Sequence, residues 1–112
     1  MGVRNPIHIP DAEGHDLKPD PSQAQTPFQF QDALRTYRLW CGAPSFRKMA
    51  IRCRHAKTAS PLREALVADD LPKLDVLRAI LEGLEASPRD RELFIQAWER
   101  LSLAAEPAGG RP

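Results

Sequence analysis

Serines, acids, histidines and cysteines are spread along this chain without a spacing that joins them into a catalytic or metal-binding set. Ser45 and Ser60 are the serines best placed for a role, but each stands at an expected helix start. No His or Asp is spaced to activate either hydroxyl. The acid pairs Asp69-Asp70 and Asp90-Glu92, and the wider pair Asp70 and Asp75, fall at expected helix ends, where turn and capping roles account for them. His8, His15 and His55, with Cys41 and Cys53, show no metal-ligand spacing, so neither a metal nor another cofactor is expected. The two cysteines are far from CxxC spacing and read as reduced, partly buried thiols of a cytoplasmic protein. No glycine loop precedes a helix to hold a phosphate, since the only Gly-Gly pair is Gly109-Gly110 near the C-terminal end. The chain is read as a non-enzyme.

Positive charge, by contrast, is patterned. Over all 112 residues the formal net charge is only +1. Residues 1–27 carry −2 and residues 79–112 carry −2, while residues 43–78 hold Arg47, Lys48, Arg52, Arg54, Lys57, Arg63, Lys73 and Arg78 against four acids. An evenly mixed solvated surface would not concentrate its cations in the middle third, and His55 lies inside the same stretch.

Helix starts around this stretch are marked by local chemistry. Thr26-Pro27, Ser60-Pro61 and Ser87-Pro88 each set a hydroxyl before a proline, the residue whose fixed φ suits the first helical position. Ser45 is a fourth cap candidate, and Pro72 marks a fifth start because the residue before a proline is steered out of the helical region. Behind each signal the apolar residues recur with helical period. Phe30, Ala33, Leu34, Tyr37 and Cys41 form the first stripe, and Phe46, Met49, Ala50 and Cys53 the second, from Ser45 to about Arg54. Leu62, Ala65 and Leu66 form a short third stripe, from Ser60 to about Ala68. Leu74, Leu77, Ile80, Leu81 and Leu84 form the fourth, and Leu93, Phe94, Ala97, Trp98 and Leu101 the fifth. Trp40, Trp98, Tyr37 and Phe46 are expected in or beside the core. No segment alternates with period two for long enough to make a strand, so the expected fold is all-α: five short helices around one core.

The ends read differently. Five of the eleven prolines fall in the first 27 residues, among charged side chains and with no sustained apolar pattern. Residues 1–26 are therefore expected to be a disordered Pro-rich tail, residues 27–103 the folded domain, and residues 104–112 a second disordered tail. No apolar run reaches membrane-spanning length, and the start of the chain lacks the layout of a secretion signal, so no membrane association is expected.

The order of elements and the text of the middle segment resemble a known family. SFRKMAIRC, SPLREAL and LPKLDVLRAILEGL, followed by FIQAWERL, resemble the Xre or lambda-repressor-like helix-turn-helix family in the style of its divergent actinobacterial members. Ser45, Phe46, Arg47, Met49 and Ala50 match the start of helix 2. Ser60, Leu62, Ala65 and Leu66 match the recognition helix, and Leu71, Pro72, Leu74 and Leu77 the entry to the fourth helix. The likeness spans about residues 28–103. It implies a compact five-helix domain that binds double-stranded DNA, a transcriptional regulator without an effector domain, working as a homodimer on paired sites. Helix 2 (about 45–54) would cross the phosphates and helix 3 (about 60–68) would lie in the major groove. On that mapping the recognition helix presents Ser60, Pro61, Arg63, Glu64 and Val67 outward; Arg63 could pair with a guanine edge, and Ser60 could touch phosphate or base. Arg47, Lys48, Arg52, Arg54, His55 and Lys57 would meet phosphates, and Lys73 a flanking one. The turn RHAKTA is about two residues longer than the family's and lacks its glycine. Pro61 and Glu64 stand where readout groups are usual, which leaves the recognition helix poor in them. The alternative is the same fold kept as a protein-interaction adaptor, working through its N-terminal segment or the edge of helix 5.

Overall fold

The computed structural model describes residues 18–105, which form five α-helices preceded by one turn of 3-10 helix, with no strand among the described residues. The helices are α1 (Pro27–Trp40), α2 (Phe46–Arg52), α3 (Ala59–Val67), α4 (Leu74–Gly83) and α5 (Pro88–Ala105); the 3-10 turn is Pro21–Gln23. The all-α expectation holds at this level. Among the described residues no helix is long and apolar enough to cross a membrane.

Three of the expected caps do the predicted work. The hydroxyl of Thr26 accepts from the Gln29 amide at 3.1 Å, that of Ser45 from Lys48 at 3.0 Å, and that of Ser87 from Asp90 at 3.1 Å. Each satisfies a first-turn amide that has no partner within its helix. Ser60 does not cap. α3 begins one residue earlier than expected, with Thr58 at the cap position and no side-chain bond, and Ser60 stands exposed in the first turn. α4 begins at Leu74, two residues after the expected start at Pro72, with Lys73 at its cap.

The helix ends follow one pattern. At the end of α1, Gly42 donates to Leu39 O and Ala43 to Arg38 O; at the end of α2, Arg54 donates to Ile51 O and His55 to Ala50 O. At the end of α4, Glu85 donates to Glu82 O and Ala86 to Leu81 O. All three are Schellman turns, which bend the chain through a left-handed residue. Only α1 uses glycine there, Gly42 at φ 102; α2 uses Arg54 at φ 55 and α4 uses Glu85 at φ 57. This bend stops α2 at Arg52, short of the expected Arg54.

The inward stripes meet in one core. Phe30, Leu34 and Tyr37 of α1, Met49 of α2, Leu62 of α3, Leu77, Ile80 and Leu81 of α4, and Phe94 of α5 are all essentially inaccessible. Phe94 lies edge-on to Phe30 at 5.8 Å and tilted against Tyr37 at 5.2 Å, which sets α5 against α1. α2 and α4 approach so closely at Gly83 that a Cβ there would lie 2.7 Å from Met49 Cβ. The indole of Trp98 donates to Pro72 O at 2.7 Å and ties α5 to the segment leading into α4.

The described part of the expected N-terminal tail is folded. Pro21 is fully buried and Ala24 nearly so, while Arg100 of α5 donates to Ala24 O at 2.8 Å. Asp20 accepts from the amide of Ser22 at 3.0 Å and starts the 3-10 turn. Lys18 pairs with the buried Asp90 at 3.1 Å. Composition pointed to a tail because few apolar residues are involved; the segment is held instead by carbonyls and charges that α5 satisfies. At the other end α5 runs to Ala105, past the expected limit at Leu103. Residues 1–17 and 106–112, where the rest of both tail expectations falls, lie outside the described residues.

Candidate functional site

The α2–turn–α3 unit is positioned from beneath by α1. Gln31, fully buried, donates its amide nitrogen to the carbonyls of Ala65 and of Ala68, the latter at 2.8 Å. Arg35 donates to Leu66 O at 2.7 Å and Ala68 O at 3.1 Å, and reaches Asp69 at 3.5 Å. The last carbonyls of a helix have no acceptor role within it, so these two side chains satisfy the C-terminal end of α3 and fix its direction. With Leu62 and Leu66 turned into the core, Ser60, Arg63, Glu64 and Val67 form the exposed stripe at i, i+3, i+4 and i+7. This is the outward set expected from the sequence, except that Pro61 is half-buried.

On α2, Met49 and Ala50 face inward while Arg47, Lys48 and Ile51 are exposed. The connection Cys53–Thr58 makes its turn without glycine by placing Arg54 and His55 in succession in the left-handed region, at φ 55 and 58. The buried Cys53 thiol bridges the turn, 3.4 Å from Ala50 O and 3.6 Å from Lys57 O. The chain thus leaves α2 with the Arg54 and His55 side chains in solvent.

Of the nine expected contact residues, His55 is exposed on the turn, and the other eight divide by what else holds them. Arg47, Lys48, Arg54 and Arg63 are exposed and form no ion pair among the described residues. Arg52 is already engaged: it donates to Gly83 O at 3.1 Å and lies 3.6 Å from the Glu85 carboxylate, closing the C-terminal end of α4. Lys57 is paired with Asp75 at 3.0 Å, and that lysine holds the Asp75 carboxyl below its ordinary value, chiefly by its hydrogen bond. Ser60 and Lys73 are exposed at the starts of α3 and α4.

A second polar cluster was not anticipated. The Tyr37 hydroxyl donates to Asp90 Oδ2 at 2.7 Å, while Lys18 reaches Asp90 Oδ1 and lies 4.9 Å from the centre of the Trp40 ring. Burial first, and then the bond to Asp90, push the Tyr37 hydroxyl far above its usual range. Burial also lifts the neighbouring Cys41 thiol to about 11, which keeps it protonated and poorly nucleophilic at neutral pH. The arrangement fastens the N-terminal segment to α1 and α5. Among the described residues no group of three or more His, Cys, Asp or Glu could hold a metal ion.

Gln31 and Arg35 left a partial sequence signal. Gln31 occupies a position of the α1 stripe, three before Leu34 and one after Phe30, where a polar side chain needs a buried partner.

Comparison of the chain with family models, with curated proteins and with solved structures gave no match.

Proposed function

We propose that α2 and α3 act as a helix-turn-helix of the lambda-repressor-like kind and bind double-stranded DNA. The observation that carries this reading is the set of four cations without acid partners among the described residues, Arg47, Lys48, Arg54 and Arg63, on exposed positions of one helix-turn-helix unit. Glu64 is the only exposed acid within α2, α3 and their connection. The first-turn amides of α3 have no side-chain cap, which suits a phosphate at that end. Arg63 alone on the outer stripe carries the paired donors that read guanine, while Glu64 offers only acceptors, suited to a base amino group such as that of cytosine. The expected behaviour is therefore moderate affinity, dominated by phosphates, with shallow sequence preference. A homodimer would place two α3 helices on half-sites about 34 Å apart. A regulator of this type would act in the cytoplasm.

Fluorescence anisotropy with a labelled duplex across a salt series tests the reading. Three phosphate contacts, by Arg47, Lys48 and Arg54, predict a log–log slope of about −3, and Arg47→Ala or Lys48→Ala should each lower its magnitude by about 1. Binding that is absent at low salt, or that the quadruple alanine variant retains, would overturn it.

A further inference from the structure

Where α1, α2 and α3 meet, the surface opens into a cleft of about 320 Å³. Its apolar lining is Leu39, Phe46, Leu66 and Val67, and its cationic lining includes Arg38 and Arg63. Leu39 and Val67 are 49% and 67% exposed, high values for neighbouring apolar side chains on one face. Among the described residues no carboxylate lines the cleft. Arg35, also at its wall, is satisfied by the α3 carbonyls and by Asp69. Arg38 and Arg63 are not matched in this way. Arg38 donates through Nε to Pro44 O at 3.0 Å and lies over the Phe46 ring at 4.3 Å, with no acid paired to it among the described residues. Burial pulls its pKa below the ordinary arginine value, because a partly desolvated cation lacks a compensating charge.

We propose that this cleft is a docking site for a peptide segment of a partner protein that sets a bulky apolar side chain beside Asp or Glu. The apolar floor takes the anchor, and the unmatched guanidinium groups of Arg38 and Arg63 take the carboxylates, bidentate where geometry allows. Nucleic acid fits this cleft poorly, since its four apolar lining side chains would meet a phosphate backbone. The proposal stands apart from the DNA reading, although Arg63 and Val67 belong to both surfaces and the two occupants would exclude each other.

Selection from a random 12-residue peptide library on the immobilised full chain tests it, without DNA in the assay. Enriched peptides should combine Asp or Glu with Leu, Ile, Phe or Trp. A fluorescein-labelled enriched peptide should bind at least tenfold more weakly to Val67→Glu and to Arg63→Glu. Both positions are exposed, and circular dichroism checks that the variants fold. Absence of enrichment over the bare support, enrichment of basic sequences, or equal binding to Val67→Glu would each overturn the proposal. Two further outcomes assign the cleft to the chain itself and also overturn it. One is displacement of the labelled peptide by a synthetic peptide of residues 1–17, which holds Ile7, Ile9, Asp11 and Glu13. The other is self-association in sedimentation that Val67→Glu abolishes. Failure of any of these leaves the salt-series result on DNA untouched, so the two readings fail separately.

Discussion

Arg47 and Arg52 stand five residues apart on α2, carry the same charge, and have different fates. Arg47 is exposed with no acid partner among the described residues, whereas Arg52 closes the end of α4 through Gly83 O and Glu85. Arg52→Ala is expected to cost about 1–2 kcal/mol in urea unfolding, mostly from the lost bond to a half-buried carbonyl. The salt slope of the proposed DNA binding should stay unchanged in the folded Arg52→Ala variant. Arg47→Ala should do the reverse, leaving the unfolding midpoint in place while reducing the slope. Arg54 has a conformational role besides its charge. A non-glycine residue at φ 55 carries a steric cost that glycine does not. Arg54→Gly is expected to raise stability by about 0.5–1 kcal/mol while weakening the proposed DNA binding, and thermal unfolding beside anisotropy would separate the two effects.

At the scale of elements, the position of α3 depends on contacts at both of its flanks. From α1, Gln31 and Arg35 take its terminal carbonyls, and α2 in turn is seated on α4 at the point where Gly83 meets Met49. Alanine in a helix normally stabilises relative to glycine by about 1 kcal/mol. At Gly83 the added Cβ would fall 2.9 Å from Met49 O and 3.0 Å from Met49 Cα as well as against Met49 Cβ, and backbone cannot swing aside as a flexible side chain can. Gly83→Ala is therefore expected to destabilise by about 1–3 kcal/mol, read from the shift in denaturant midpoint. A neutral or stabilising result would show that α2 can move off α4 at little cost. The boundaries of these elements were largely legible beforehand, since a hydroxyl before proline and a 3.6-residue stripe act within one segment. The misplaced start of α3 has the same origin. Ser60-Pro61 looks like a cap pair, yet the fold begins the helix at Ala59, leaving the Ser60 hydroxyl exposed.

For the whole molecule, the Tyr37, Asp90 and Lys18 contacts join the N-terminal segment, α1 and α5, with Cys41 at their edge. Both Tyr37 and Cys41 are held protonated above their ordinary values. The unfolded chain then loses these protons first as pH rises, so their stabilisation is intact below about pH 9, the ordinary value of the thiol. It declines as pH rises through the range up to about 11. Urea midpoints measured from pH 7 to 10.5 should fall at the alkaline end, and Cys41→Ala should flatten part of that fall. A midpoint that stays level would mean that the thiol and the phenol ionise in the folded state as freely as in water.

Two kinds of information separate here. The amino-acid sequence by itself determined the helical class, the caps at Thr26, Ser45 and Ser87, the inward stripes, and the outward set Ser60, Arg63, Glu64 and Val67. All of these depend on residues within a few positions of one another. Only the tertiary structure decided which cations remain available, because Arg52 and Lys57 are taken by Gly83, Glu85 and Asp75. It also decided that residues 18–26 are part of the fold and that Arg38 and Arg63 share a cleft with Leu39 and Val67. Those outcomes join groups far apart in sequence, as Arg100 and Ala24 are. Helix packing brings such groups together, and no local period of the sequence encodes it.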